Sequence, residues 1–228
     1  YKVGGECLEM VASVAEDING NYIIGGRYCC SNLKLSSEIT LKNNSELDPD
    51  RNETSSEWYQ NIYYYSDAFV AVLQKNDIAN PTISKAQKLD YDINAVSATK
   101  DGGYLSAGSF RSSSIDLGNK IILNNKGSSD GMIIKYNKNR VIEWAKGIGG
   151  TASDEINIVE ETSDGGYIVG GEFKSSKVDL GNGIIIERNN SWTYGIAIKY
   201  NKKGTVEWFL ILEDVNCIIE TSDKGYVI

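Results

Sequence analysis

The chain has 228 residues and a formal net charge of −8, with 31 acidic against 23 basic side chains. A field of that sign repels phosphate backbones and anionic headgroups, which argues against nucleic-acid binding, and no apolar run approaches the length of a bilayer span, which argues against membrane insertion. Histidine is absent, so serine or cysteine nucleophiles activated by imidazole, imidazole zinc sites and a histidine general base are excluded together.

In chain order, the text repeats. DINGNYIIGGRY at 17–28 returns as DGGYLSAGSF at 101–110, as DGGYIVGGEF at 164–173 and, partially, as SDKGYVI from Ser222. The two middle copies stand sixty-three positions apart, and DLGN at Asp116 and Asp179, KYN at Lys135 and Lys199, and EW at Glu143 and Glu207 return with them. A fixed period of this kind marks one supersecondary unit stacked on copies of itself. Within a copy the pattern is that of strands. INIVEET at 156–162 leads through Ser163-Asp164-Gly165-Gly166 into YIVGGEF, and YGIAIKYN at 194–201 turns at Lys202-Lys203-Gly204 into TVEWFLIL. Four short strands, a to d, form a meander with no helical signal.

The expected fold is therefore all-β: a β-propeller of four-stranded antiparallel blades, with about three and a half blades present. Residues 1–228 form one incomplete array, in which 1–6 end a preceding blade, 7–90 are a blade with a long b–c insertion at 45–66, 91–153 and 154–214 are blades, and 215–228 are a half blade. Three and a half blades do not close a ring, so the chain reads as a window on a longer polypeptide, the missing blades coming from the parent chain or another copy. The pairs Gly25-Gly26 and Gly170-Gly171 suit close approach between sheets. LKLSSEITLKNN from Leu33, DLGNKIILNNKG from Asp116 and DLGNGIIIERNN from Asp179 suggest one short extra strand per blade, folded over its edge.

Taken together, GSF at 108–110, DLGNKII from Asp116, SDGMIIKYN from Ser129, VIEWAKGIGG from Val141 and DEINIVEETSDGGYIVGG from Asp154 resemble the SBBP-type β-propeller repeat of secreted and cell-surface bacterial proteins. The resemblance covers essentially the whole chain and is looser in the first copy, where Ala86 is read at the position of the strand-d tryptophan. It implies a propeller in an extracellular or cell-surface protein, and no activity.

Function in repeat proteins tends to sit where a copy departs from the pattern. The first copy carries 19 residues more between its strand-b tyrosine and strand c than the second. That loop holds Trp58, Tyr59, Tyr63, Tyr64 and Tyr65 beside acidic groups, a composition suited to a glycan or protein ligand, or to packing the loop on its own blade. Asp48, Asp50 and Asn52, and Asp90, Asp92 and Asn94, offer alternate oxygens for an irregular Ca²⁺ site, although Glu53, Ala95, Tyr59 and Asp101 miss the EF-hand glycine and glutamate positions. No cofactor is required. Cys7 and Cys30 are the candidate disulfide across strands a and b, and Cys217, aligned with Ile158, is expected to be a buried free thiol. The leading functional expectation is a non-catalytic binding or scaffold propeller that uses the first-blade loop. The alternative is a carbohydrate-active enzyme using strand-a carboxylates such as Glu160, Glu161 and Glu220 at the central channel.

Overall fold

A computed structural model describes residues 9–28, 32–34, 40–42, 67–74, 82–89, 91–189 and 192–228. Cys7, Cys29, Cys30, Asp48, Asp50, Asn52, Trp58, Tyr59, Tyr63 to Tyr65 and Asp90 lie outside them. The described residues are strand and turn, without helix.

The strands fall into one recurring order. The first unit is β1 (Glu9–Glu16), β2 (Tyr22–Tyr28), a small hairpin of β3 (Asn32–Lys34) and β4 (Thr40–Lys42), then β5 (Asp67–Gln74) and β6 (Thr82–Leu89). The second is β7 (Asp92–Ala98), β8 (Tyr104–Phe110), the hairpin β9 (Ser114–Asp116) and β10 (Ile122–Asn124), β11 (Asp130–Tyr136) and β12 (Ile142–Ile148). The third is β13 (Asp154–Glu161), β14 (Tyr167–Phe173), the hairpin β15 (Lys177–Gly181) and β16 (Ile184–Glu187), β17 (Tyr194–Tyr200) and β18 (Val206–Leu212). A final hairpin, β19 (Ile219–Glu220) and β20 (Tyr226–Val227), follows. Each unit is a four-stranded antiparallel meander, β1-β2-β5-β6, then β7-β8-β11-β12, then β13-β14-β17-β18. The expected single extra strand between b and c is instead a two-stranded hairpin in all three units. Its reversal is built on left-handed residues the apolar pattern does not reveal, Gly118, Asn119 and Lys120 in the second unit and Gly181, Asn182 and Gly183 in the third.

The sheets stack face to face through their first strands, β7 lying on β1 and β2, and β13 on β7, β8 and β11. Central strands are thus covered on both sides. In β8 and β11 every residue is buried, and alternation sends Tyr104, Met132 and Ile134 into the core shared with the first sheet and Leu105, Ala107 and Ile133 into the core shared with the third. Burying a side chain of this size contributes about 1.5–3 kcal/mol.

Strand a carries a bulge at the same place in each unit, leaving Ala12, Asn94 and Asn157 unpaired. The bulge explains the second glycine of strand b. A Cβ at Gly26, Gly108 or Gly171 would strike the carbonyl of Met10, Asp92 or Glu155, the residue two before the bulged one. The first glycine answers a different demand, since a Cβ at Gly25 would meet Ile93 and Val96 of the next sheet at 2.7 and 2.8 Å.

Two expectations fail. Cys217 is an exposed free thiol, not a buried one, because its counterparts Ala95 and Ile158 face the following sheet and no described sheet follows β19 and β20. The strand-d register also differs: Lys135 and Lys199 lie opposite Trp144 and Trp208, and their counterpart Val72 lies opposite Lys85, so Lys85, not Ala86, stands at the tryptophan position.

Replacing Gly108 with alanine is expected to lower unfolding stability by about 1–3 kcal/mol, because the bulge carbonyl must move to admit a methyl group. Urea denaturation checks this; an unchanged midpoint would mean that the bulge is not a fixed feature.

Candidate functional site

The second and third sheets are each pinned by a buried lysine. Lys135 in β11 is 2% exposed at its side chain, and its Nζ reaches Asp101 Oδ2 at 2.8 Å, the Tyr136 carbonyl at 2.8 Å and Glu143 Oε2 at 3.3 Å. Lys199 in β17 repeats this with Asp164 and Glu207, both at 2.9 Å, and the Tyr200 carbonyl at 3.0 Å. Each element of the pin has a local cause. The aspartate sits in the a–b turn, fixed by the threonine hydroxyl two residues before it and by the amide of Gly103 or Gly166. The glutamate is the unpaired residue of a bulge between strands c and d. That glycine must stay bare, because a Cβ would meet the ammonium and the neighbouring carbonyl. Burial pushes the carboxyls of Asp101 and Asp164 up, but the hydrogen bonds from lysine, threonine and glycine outweigh it and hold both below the ordinary aspartate value. For Lys199 burial acts downward and is overcome by Glu207 and Asp164, which hold its pKa above the ordinary value.

Two further contacts join neighbouring sheets. Trp144 packs on Tyr167 and Trp208 on Tyr226, with ring centroids 5.4 and 5.1 Å apart. Glu161 accepts from the Lys100 amide at 2.7 Å, and Glu220 from the Ser163 amide at 2.6 Å, so the ends of β13 and β19 cap the a–b turns of the sheets before them.

The first sheet lacks the whole set. Val72 replaces the lysine, Asn19 the aspartate, Asn21 the glycine, Ser84 the glutamate and Lys85 the tryptophan, while Ala98 replaces the capping glutamate on the facing strand β7. Its a–b turn is closed differently, by Asp17, whose Oδ1 accepts from the Asn19 and Asn21 amides and whose Oδ2 accepts from the Asn21 side chain. With no tryptophan opposite it, Tyr104 stacks on Tyr136 at 4.4 Å, and burial first, then Tyr136, raises its hydroxyl far above the ordinary tyrosine value, so it stays neutral.

Three of these departures, Asn19, Asn21 and Val72, line a cleft of 310 Å³ between the first and second sheets. Its floor is apolar: Ile23, Val72 and Tyr104. Its rim is formed by Asp17, Asn19 and Asn21 of the first a–b turn, by Asp101 and Gly102 of the second, and by Asn137, Lys138, Asn139 and Arg140 of the turn between β11 and β12. The three floor side chains are almost fully buried, so the surface left open is mainly the polar groups of the rim, which suits a small hydrogen-bonding ligand.

The residues singled out in the sequence are placed elsewhere. Asp92 is buried and paired with Arg111 at 2.7 Å and Arg27 at 3.6 Å. Asn94, the bulge residue, accepts from Arg27 and donates to Asn157 and to the Ile156 carbonyl. Both serve contacts between or within sheets. Among the described residues no group of three or more metal-ligating side chains is assembled. Glu161 and Glu220 cap turns, and Glu160 is exposed.

A second constellation lies at the opposite end of the second sheet. Asp130 is fully buried; its Oδ2 accepts from the Lys126 amide at 3.1 Å, whereas Oδ1 has no hydrogen-bond partner. Gly149 separates it from Asp154, which accepts from the amides of Gly150, Lys174 and Ser175 and from the Ser175 hydroxyl. Burial, with Asp154 and Asp179 adding to it against Lys126, pushes Asp130 up to about 6.

No protein-family model matches the chain, and no curated protein matches it.

Because the folded-state pKa of Asp130 lies above its ordinary value of 3.8, ionisation costs stability above about pH 6, and that cost fades as pH falls from about 6 toward 4. Asp130→Asn is therefore expected to be more stable than the parent at pH 8, with the difference vanishing near pH 4. Thermal melts across that range read it directly; a constant difference would mean that Asp130 does not titrate there.

Proposed function

We propose that this chain is an arc of a β-propeller serving as a non-catalytic binding module of an exported surface protein, with its ligand seat in the cleft between the first and second sheets. The propeller reading is supported by meanders of uniform order stacked through their first strands. It is supported also by the end faces: Val11 and Val14 are both 59% exposed at positions where Ile93, Val96, Ile156 and Val159 are buried. Such faces fit further blades from the parent chain or another copy. Export rests on the repeat's resemblance to secreted and cell-surface proteins.

The observation that carries the binding reading is the joint replacement of five positions of the first unit, together with Ala98 on the facing strand, three of which, Asn19, Asn21 and Val72, line one cleft. Random loss of single pin residues would leave an unpaired aspartate, glutamate or lysine behind, at a cost of several kcal/mol for a buried charge. Here every partner is changed, the site is closed by its own Asp17 turn, and the freed volume is lined by amides. A glycan suits it, since sugar hydroxyls pair with carboxamides such as those of Asn19 and Asn139 at the rim. The enzyme alternative needs two carboxylates free to exchange protons, and the strand-a glutamates Glu161 and Glu220 are held by backbone amides.

Grafting the repeat's own residues into the first unit, as Asn19→Asp, Asn21→Gly, Val72→Lys, Ser84→Glu and Lys85→Trp together, is expected to abolish binding to immobilised saccharides while keeping or raising the melting temperature. The milder pair Asn19→Ala and Asn139→Ala is expected to weaken binding by about tenfold or more with an unchanged fold. Undiminished binding by a folded graft or by the pair would place the ligand elsewhere.

A further inference from the structure

The outer edges of the three sheets share a backbone and differ in side chains. β6, β12 and β18 are each the last strand of their sheet. Register with the third strand aligns them residue by residue: Lys85-Ala86-Gln87-Lys88 in β6, Trp144-Ala145-Lys146-Gly147 in β12 and Trp208-Phe209-Leu210-Ile211 in β18. A free strand edge offers unpaired amides and carbonyls to any other extended chain, and lysines on it are a common safeguard against such pairing. β6 carries Lys85 and Lys88, and β12 carries Lys146, which donates to the Asn182 side chain at 3.0 Å. β18 carries no cation at all.

An uncharged run stands there instead. Phe209, Leu210 and Ile211 are 38, 47 and 42% exposed. Alternation sends Phe209, opposite Ile198, toward the second sheet, and Leu210, opposite Ala197, toward β19 and β20. A further blade stacked beyond β19 and β20 therefore covers neither the edge of β18 nor its Phe209 side. No described strand pairs with that edge.

Charge indicates which chain fits it. β18 is preceded by Lys202 and Lys203 in the turn from β17 and followed by Glu213 and Asp214, all four exposed. The strand is thus basic before its start and acidic after its end, and laying it antiparallel on a copy of itself brings each basic end beside an acidic one. The midpoint of Val206–Leu212 is Phe209. With a two-fold axis there, Trp208 stands opposite Leu210 of the second copy, Val206 opposite Leu212, Glu207 opposite Ile211, and Glu213 opposite Thr205, with Lys203 on the diagonal within reach of a long side chain. No like charges face each other in this register. Moving the axis to Leu210 sets Glu207 against Glu213 twice.

We infer that two copies of the chain pair through β18, antiparallel about a two-fold axis at Phe209, so that the third sheets of both copies become one continuous sheet. The surface is isologous, each copy using the same residues, and the pairing extends the antiparallel order β13-β14-β17-β18 already present. It concerns the outer edge of the third sheet and is independent of the cleft.

Sedimentation equilibrium over a concentration series tests this, and a monomer–dimer equilibrium in the micromolar range is expected of so small an interface. Hydrogen exchange along the same series is expected to slow at alternate amides of β18 as concentration rises, with β6 and β12 unchanged. Phe209→Ala combined with Leu210→Lys gives β18 the residues that β12 carries, so the melting temperature is expected to be retained and the dimer lost. Glu213→Lys alters an exposed side chain outside the core and is expected to weaken association roughly fivefold, and adding Lys203→Glu to restore it. Monomer at every concentration overturns the inference, and so does a dimer whose β18 amides exchange as in the monomer. A dimer indifferent to Glu213→Lys overturns the antiparallel register at Phe209, and the inference with it.

Discussion

An ammonium group buried among strands is tolerable only when each of its three N–H bonds finds an acceptor, and that demand organises the repeat. Around Lys135 and Lys199 it fixes an aspartate in the a–b turn, a glutamate at the bulge of strand d, a backbone carbonyl and a glycine with no side chain to intrude. Turn, third strand and fourth strand of each sheet are thereby tied at one point. The indole opposite the lysine carries the order outward to the tyrosine of the next sheet. A unit can keep the whole set or abandon it; half a set leaves a charge in the core. The first sheet abandons it, and that single fact accounts for both the cleft and its uncharged floor.

The scaffold around the cleft does not depend on the pin. The bulge in strand a, the glycine facing its carbonyl and the alternation of buried side chains on strands b and c are common to all three sheets. In the first sheet, β2 and β5 still bury Ile23, Val70 and Val72 against Ile93 and Val96 of β7. The floor of the cleft is consequently core, held by the same packing that holds the array, while its rim consists of three turns that carry no core. Rigid floor and adaptable rim are a familiar division in binding proteins, where loops set on a fixed framework supply the specificity. Here the framework is a stack of sheets, and the variation that matters is confined to the turn end of one interface.

Much of the architecture was legible because repetition multiplies weak signals. A single Gly-Gly or Asp-Gly turn says little, but four turns in corresponding positions define the strands between them. The inner hairpins were seen only as single strands because their reversal depends on Asn119, Lys120 and Asn182 taking positive φ, which no apolar pattern announces. The strand-d register slipped by one position, to Ala86 instead of Lys85, because the connection between strands c and d differs among copies and only the pairing with Val72 fixes it. Cys217 is exposed although its repeat position is apolar, since burial at that position comes from the next sheet rather than its own. The cleft was invisible for a deeper reason. Its residues come from four separate stretches of chain between Asp17 and Arg140, and Val72, Asn19 and Asn21 look unexceptional until the lysine, aspartate and glycine they replace are seen to touch one another.

The central claim is that the departure of the first sheet from the repeat creates a ligand seat at its junction with the second. Chemical-shift mapping of backbone amides during titration with simple saccharides tests it most directly. The account predicts the largest shifts at Asn19, Gly102, Asn139 and Arg140, with the equivalent turns of the third sheet, around Gly165 and Lys203, unmoved. Shifts centred on the 45–66 segment or on the β18 edge, with Asn19 and Asn139 unaffected, would contradict it.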